Sequence, residues 1–388
     1  MLCEAELVPL ERGVMVGFSG ARLNLAGHRL ASQQLAQPRF TSPTQLVAWF
    51  GAVQAQDYAA AKWAVGQRLS AFTDAAMEQA FAEGAILRTH VMRPTWHFVS
   101  PADIRWMLAL TAPRITALSA YYSRQLGLDE AFFARSHKAM ATALAGGREL
   151  TRKDLATVLQ RAGLIKRDAP GVGQRMGQIM QRAELDSVVC SGARRAKEFT
   201  YALLDERAPR TGTRSRSEAL AELSTRYFTS HGPATLRDFV WWSGLTVKDA
   251  RAGLEMVKSR LISEVAGEQT YWMLADASPA RSRGRTAYLL PNYDEYTVAY
   301  ADRRTICDPA FGKAVHSRGG IIFNHTIVLD GKIAGTWKRS LGKVQVTIEA
   351  KLFRPANATE VRQIAAAAKR YAAFLGLEGR VSGSQNTT

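Results

Sequence analysis

The feature that most constrains the fold of this chain is a group of helices followed by two short β runs, a pattern that recurs along the sequence. The copy with the strongest local signals begins at Ser217, which is placed to cap a helix. Residues 232–235 open a second helix, and Thr246 caps a third. The runs 260–265 and 270–274 then predict a hairpin. Helix, turn, helix and β wing is the winged-helix arrangement.

Two earlier segments follow the same plan with weaker signals. In the first, Ser42 and Pro43 mark a helix start, because proline is favoured at the first helical position. In the second, Thr151 caps a helix, and Asp154 three residues later forms a near capping box. Three such units in a row indicate a tandem array. The paired β runs are residues 85–91 and 95–99 in the first copy, and residues 187–190 and 199–203 in the second.

Beyond a short basic linker at residues 278–285, the pattern changes to β strands. Asp330-Gly331 between two apolar runs is a strong signal for a hairpin. A helical pattern over residues 359–375 follows, so we expect a small β-barrel-like region or curled sheet with a helix packed on it. The expected strands are residues 287–290, 320–323, 326–329, 332–337 and 345–349.

These patterns predict an α+β fold in which tandem winged-helix units precede a β-barrel-like region and a terminal helix. The expected divisions are an N-terminal extension at 1–20, a first unit at 21–149, a second at 150–210, a third at 211–280 and the β-barrel-like region at 281–388.

The charge of the chain restricts its partners. Lysine and arginine together number 51 against 34 aspartates and glutamates, which gives a net charge of +17. A surface this positive attracts phosphates, so double-stranded DNA is the first partner to expect and an anionic membrane surface the second.

Other residue counts bear on compartment and cofactors. Three widely separated cysteines provide no disulfide framework, and seven histidines show no HxxxH or HExxH spacing, so we expect neither a metal nor another cofactor. No apolar run has transmembrane length, and the first residues lack the pattern of a signal peptide. We expect a monomer in the cytoplasm, associated with the nucleoid and not with a membrane.

The stretch GAVQAQDYAA at residues 51–60 places Gln54, Gln56 and Asp57 inside an otherwise apolar segment. These side chains could cap and cover a helix end, or they could form a small polar site.

Other conspicuous residues have structural interpretations. Trp241 and Trp242 lie on an apolar helix face and are expected in the core. Asp294 and Glu295 could be paired acids, but as neighbours on a strand they would point to opposite faces. A structural role is therefore the favoured interpretation of both.

Basic residues recur in the predicted hairpins. Arg88 and Arg93 flank the first pair of β runs beside His97, and Lys338 and Arg339 end a strand of the C-terminal region. A hairpin that carries arginine and lysine can enter a groove or bind phosphates. A solvated surface is the alternative, which suits any one cluster but explains the net charge less well. A further cluster comprises Arg194, Arg195 and Lys197.

Short segments spread along the chain match one known family. They are VQAQD (53–57), RTHVMRPTWH (88–97), SHGPA (230–234) leading into DFVWW (238–242), LPNYDEY (290–296) and DGKIAGTWKR (330–339). These segments resemble the AlkZ-like winged-helix DNA glycosylases over nearly the whole chain after about residue 25. The resemblance implies tandem winged helices and a C-terminal β-barrel arranged as a C around duplex DNA. It also implies removal of bulky N7-alkylguanine adducts, and some family members unhook interstrand crosslinks.

The catalytic signature of that family is Gln, one apolar residue, then Gln or Asp. Gln54-Ala55-Gln56 matches it, so the resemblance implies that Gln54 and Gln56 are catalytic. Asp57 lies one position outside the motif, and no role carries over to it.

The chemistry suits neutral amides. Alkylation at N7 makes guanine a cation, so its departure needs no strong acid. A sugar with oxocarbenium character and the attacking water then need stabilisation. Two amide oxygens can provide it without the repulsion that a carboxylate meets beside DNA phosphates. Because no Schiff-base lysine is inferred, we expect a monofunctional enzyme that leaves an abasic site.

The same features leave other functions open. A non-enzymatic winged-helix DNA-binding protein, such as a transcriptional regulator, would also have tandem units and a basic surface, but it would bind specific sequences. A binder of RNA or of a membrane surface is the least favoured alternative. The residues predicted to contact DNA are Arg88, Arg93, His97, Lys338 and Arg339.

Overall fold

The computed structural model shows a mixed α+β chain and describes residues 24–70, 72–166, 170–208, 210, 213–275, 287–311, 320 and 323–383. The predicted N-terminal extension and basic linker lie outside these residues, as does the centre of the strand predicted at 320–323. Within these ranges, no helix is both long and apolar enough to cross a membrane.

The first unit combines short helices with a small antiparallel sheet. Its elements are α1 (Leu25–Ser32), α2 (Pro43–Phe50), β1 (Ala52–Gln54), α3 (Tyr58–Gly66), α4 (Asp74–Ala82), β2 (Leu87–His90) and β3 (Trp96–Val99). The sheet order is β1-β3-β2. Helix α2 begins at Pro43 as predicted, with Ser42 at the N-cap position. Strand β1 was not predicted, because three residues are too few to show alternation.

Two long helices that the sequence patterns had not indicated follow this sheet, still within the predicted range 21–149 of the first unit: α5 (Ile104–Gln125) and α6 (Glu130–Leu144). The second unit, predicted at 150–210, comprises β4 (Leu150–Thr151), α7 (Arg152–Arg161), α8 (Val172–Leu185), β5 (Val189–Ser191), β6 (Thr200–Leu203) and α9 (Leu204–Arg207). Its sheet order is β4-β6-β5. The predicted capping box is confirmed, because Thr151 and Asp154 each accept a hydrogen bond from the other's backbone N–H.

The third unit is a group of helices followed by a two-stranded sheet. Its elements are α10 (Arg216–Ser230), α11 (Leu236–Ser243), α12 (Val247–Val257), β7 (Leu261–Ala266) and β8 (Gln269–Leu274). The predicted hairpin and the Thr246 cap are confirmed. The cap of α10 is Ser215 and not Ser217. Ser215 and Glu218 form a reciprocal capping box, and Ser217 lies inside the first turn.

The C-terminal part is a curled sheet with a helix packed on it. Its elements are β9 (Ala287–Leu290), α13 (Glu295–Val298), β10 (Thr326–Leu329), β11 (Lys332–Leu341), β12 (Gln345–Leu352), α14 (Ala358–Leu375) and β13 (Glu378–Gly383). The strand order is β13-β12-β11-β10-β9. Asp330 and Gly331 form the predicted turn, with φ of 49° and 75°. Strand β13 pairs in parallel with β12 and was not predicted.

One hydrophobic core joins the first unit to the C-terminal sheet and so positions the site. Trp63 of α3 donates from Nε1 to the carbonyl of Leu289 at 2.7 Å, and its ring centre lies 5.0 Å from that of Tyr371 on α14. Gly66 permits the close approach of α14, because a Cβ there would lie 2.4 Å from the Phe374 ring. Each buried ring contributes about 1.5–3 kcal/mol of hydrophobic stabilisation.

Candidate active site

The segment with the two glutamines lies where a strand turns into a helix. Gly51 ends α2 with a φ of 84°, and β1 begins at the next residue. Gln54 is the last residue of β1 and pairs with His97 on β3. Asp57 then caps α3, because its Oδ1 accepts the N–H of Ala60 at 3.0 Å. The glutamines are therefore held between two elements that are both anchored in the core.

The two glutamines differ in exposure and in contacts. Gln54 is only 7% exposed. Its backbone N–H donates to Glu295 Oε1 at 2.8 Å, and its side-chain Oε1 accepts from Arg93 Nη2 at 2.8 Å. Gln56 is exposed, and its Oε1 accepts the N–H of Trp96 at 3.3 Å. Gln54 is thus held at both ends, whereas Gln56 lies at the surface.

Behind Gln54 lies a buried carboxylate, that of Glu295. Its Oε2 accepts from Trp242 Nε1 at 3.0 Å and lies 3.4 Å from His231 Nε2. Burial alone would raise the pKa of Glu295, but His231 and the Gln54 N–H hold that pKa below its usual range. Burial lowers the pKa of His231 despite the opposing effect of Glu295. Glu295 is therefore the negative charge of the site near pH 7.

His97 and Arg93 also lie beside Gln54, the first as its partner on β3 and the second through a hydrogen bond to its side chain. His97 is fully buried, and its Nδ1 lies 2.9 Å from the Thr95 carbonyl oxygen, so Nδ1 carries the proton. Burial and the nearby Arg93 lower the pKa of His97 to about 3. Burial also lowers the pKa of Arg93. His97 is neutral near pH 7 and cannot act there as a strong general acid.

The residues predicted to contact DNA fall into two places. Arg93 and His97 belong to the site just described, and Arg88 lies beside it. Arg88 is only 7% exposed, donates from Nε to the carbonyl of Ala55 at 3.0 Å, and lies 4.3 Å from the centre of the Trp96 ring. Arg88 and His97 are both buried, so they lie in the interior beside the site and not on the protein surface.

The other two predicted contacts lie on β11. Lys338 is exposed, whereas Arg339 is half-buried and donates from Nη1 to the Tyr371 hydroxyl at 2.6 Å. Because successive strand residues point to opposite faces, the two cations face different sides of the sheet.

Segment 290–296 supplies residues that the sequence-based interpretation did not assign to the site. Asp294 and Glu295 do not lie on a strand: Asp294 caps the short helix α13. Asp294 pairs with the buried guanidinium of Arg68 at 2.6 Å, which agrees with a structural role. Asn292 donates from Nδ2 to Asp57 Oδ2 at 3.2 Å. Glu295 could have been suspected only from its place in the matching segment.

The two neighbouring tryptophans have different environments. Trp242 is fully buried, as expected, and donates to the Glu295 carboxylate. The prediction was wrong for Trp241, which is 45% exposed and lies 5.4 Å from the Arg303 guanidinium carbon. Adjacent helical residues point about 100° apart, so only one of the two can face the core.

The geometry fits hydrolysis of a bond with an activated leaving group. It combines two neutral amides, a buried anion and a histidine that stays neutral near pH 7. Among the residues described, no group of three or more His, Cys, Asp or Glu side chains is arranged to hold a metal ion.

Comparisons with known proteins agree on one family. The profile described as "DNA glycosylase AlkZ-like" matches residues 47–374. A curated protein from Streptomyces sahachiroi, "Interstrand DNA cross-link repair glycosylase", is 23% identical over 328 residues, which covers 79% of this chain and 85% of that protein. The solved structure of Streptomyces sahachiroi DNA glycosylase AlkZ is similar with a TM-score of 0.75 and 20% identity, over 93% of this chain and 98% of that one.

Proposed function

This chain belongs to the AlkZ-like DNA glycosylase family, and we propose that it hydrolyses the N-glycosidic bond of N7-alkylated purines in double-stranded DNA. The proposed substrates include bulky adducts and also interstrand crosslinks, the lesion that the name of the Streptomyces sahachiroi relative mentions. The product is an abasic site. The enzyme works as a monomer in the cytoplasm, at the nucleoid, and needs no cofactor.

The observation that carries the proposal is the setting of Gln54 and Gln56. Both side-chain oxygens accept hydrogen bonds from the β2–β3 hairpin, one from Arg93 and one from the Trp96 backbone. A carbonyl oxygen has two lone pairs, so each amide can still face a water or a developing positive charge. The hairpin thus supports both members of the catalytic pair.

In the proposed mechanism, the lesion itself activates the leaving base, and the two amides act on the water and the sugar. Alkylation at N7 already makes the base a good leaving group, so a protein acid is not needed. Gln56, at the surface, holds the attacking water, and the Gln54 carbonyl faces the oxocarbenium character that develops on the sugar. Because the activated base and the two amides are sufficient for hydrolysis by water, the proposed chemistry is monofunctional and uses no Schiff-base lysine.

DNA is held by the tandem units and by β11. In this proposal each helical group and its β hairpin is a winged-helix unit, with α10, α11, α12 and the β7–β8 hairpin as the best match. Phosphate contacts come from Arg93 at the site and chiefly from Lys338 on β11, because Arg339 faces the other side of the sheet and bonds Tyr371. Arg88 and His97, the other two predicted contacts, support the hairpin from inside.

The test is base release from defined lesions. Purified protein is incubated with duplex DNA carrying N7-methylguanine or, separately, a nitrogen-mustard crosslink, and abasic sites are cleaved by alkali. Gln54→Ala and Gln56→Ala should each abolish release while duplex binding is retained. Gln79→Ala is the matched control, because Gln79 is an exposed glutamine whose amide pairs with Glu83 on α4.

The outcomes separate the enzyme from a DNA-binding protein. Release by wild type and by the Gln79 variant alone supports the proposal, and the faster substrate ranks simple against crosslinked lesions. No release from either substrate, with tight binding to undamaged duplex, would favour a non-enzymatic regulator.

A further inference from the structure

We propose that Glu295 is a positioning residue that holds Gln54 in its working geometry. This inference rests on the proposed function of Gln54. It gives a chemical role to a buried acid that lies 241 positions from Gln54 in the sequence.

The first argument is the position of β1 at the edge of its sheet. β1 pairs with β3 on one side only. An edge strand leaves backbone N–H groups on its outer side without strand partners, and a buried unpaired N–H is costly. Glu295 Oε1 takes the outward N–H of Gln54 at 2.8 Å. The carboxylate therefore replaces a missing strand at the residue of β1 whose side chain is proposed to act in the chemistry.

The second argument is that both ends of Gln54 are held by charged groups. A carboxylate holds the backbone, and the Arg93 guanidinium holds the side-chain oxygen. Fixing both ends of a flexible side chain restricts its rotamers before the substrate binds. Such preorganisation is what a catalytic amide needs.

The third argument is that Glu295 is itself rigidly placed. It is 1% exposed and lies at the start of α13. Its second oxygen meets Trp242 of α11 and His231 at the end of α10, both fully buried. The carboxylate thus connects a strand of the first unit to helices of the third unit, and it cannot move without disturbing both.

The chemistry of these contacts requires a carboxylate. Three donors, the Gln54 N–H, the Trp242 indole and the His231 ring, converge on two oxygens. A carboxylate only accepts, which suits this arrangement, whereas a glutamine has one accepting oxygen and an NH₂ group. Glu295→Gln would therefore turn a donor towards another donor while changing the side-chain volume little.

The experiment measures the backbone of the segment that contains Gln54 as well as base release. Hydrogen exchange followed by mass spectrometry reports the amides of residues 52–57, and single-turnover rates report the chemical step. In Glu295→Gln, exchange across this segment should accelerate about tenfold, and the single-turnover rate should fall about 10–100-fold, while the Kd for undamaged duplex stays within about twofold.

The neighbouring acid provides the control. Asp294→Asn weakens the buried pair with Arg68 and so perturbs the same segment without touching Gln54. It should leave exchange at residues 52–57 within about twofold of wild type. Should Glu295→Gln fail to fold, Trp242→Phe removes one bond to Oε2 and should give the same local exchange change with a smaller rate loss.

Each outcome decides the inference. Faster exchange at residues 52–57 with a slower chemical step supports it. Unchanged exchange, an unchanged rate in an active enzyme, or equal effects of Asp294→Asn would overturn it. If wild type releases no base yet exchange at residues 52–57 responds to Glu295→Gln, the proposed function fails while the positioning of Gln54 by Glu295 stands.

Discussion

Lowering the pH should destabilise this protein through His97. The folded chain buries the ring completely beside Arg93, and burial and that cation lower the pKa of His97 to about 3 from its usual 6.5. The Glu295 carboxylate and the Thr95 carbonyl oppose the shift without reversing it. The unfolded chain exposes the ring, which then takes up a proton as the pH falls below about 6.5.

The direction and the magnitude of this change in the free energy of unfolding follow from proton linkage. Between about pH 6.5 and pH 3 the unfolded state binds a proton on this ring and the folded state does not. The free energy of unfolding therefore decreases as the pH is lowered. Going from about pH 7.5 to about pH 5, the His97 ring alone removes roughly 2 kcal/mol. Burial also lowers the pKa of His325 to about 4, which adds a loss of similar size. Together these losses are a large share of an ordinary stability of about 5–15 kcal/mol.

The assay compares wild type with His97→Asn, whose amide can still donate to the Thr95 carbonyl but cannot titrate. Urea unfolding at about pH 7.5 and about pH 5 should show a pH-dependent loss of unfolding free energy that is smaller in the variant by roughly 2 kcal/mol. Nitrogen NMR of the imidazole should show no titration of His97 in this range. Equal pH dependence in both proteins, or a ring that titrates near its usual pKa, would refute the reasoning.

Three further predictions concern other parts of the molecule. Lys338→Ala should reduce the slope of log K for duplex binding against log salt by about 0.9, and Arg339→Ala should reduce it by less, because Arg339 already bonds Tyr371. Fluorescence anisotropy measures both slopes, and two unchanged slopes would show that β11 does not contact the DNA. Asp57→Asn should keep base release within about twofold of wild type, because asparagine also caps helices. Asp57→Ala should lower the free energy of unfolding by about 1 kcal/mol, measured by thermal unfolding. A slow Asp57→Asn enzyme would mean that the carboxylate acts in the chemistry. Gly244→Ala should lower Tm and base release together, because Gly244 has a φ of 68° and a Cβ would lie 2.3 Å from the Met92 carbonyl oxygen in the β2–β3 turn. An unchanged Tm would show that this turn shifts at little energetic cost.

Local signals were enough to predict many of the elements. The C-terminal helix was expected at residues 359–375 and spans Ala358–Leu375. Its start is determined locally, because Asn357 and Glu360 form a capping box. The Asp330-Gly331 hairpin was predicted because few other residue pairs adopt two positive φ angles so readily. In each case a few neighbouring residues decide the structure.

The site could be predicted only in part, because its second half comes from distant sequence. The QAQ motif predicts Gln54 and Gln56 as the catalytic pair, yet the partner of the Gln54 backbone is Glu295, far along the chain. Nothing in a β run of four residues tells a buried arginine from an exposed one. The interior positions of Arg88 and His97 therefore depend on tertiary packing that periodicity does not encode.

The core shared by α3 and α14 has a consequence for synthesis of the protein. Trp63 leaves the ribosome long before Tyr371 and Phe374, its ring partners. At about 5–20 residues per second, roughly 15–60 s pass before α14 is available to pack on the apolar face of the first unit. Glu295 also arrives late, so a nascent chain that already contains both glutamines has no assembled site. Under the proposed role of Glu295, base release therefore begins only when translation is nearly finished.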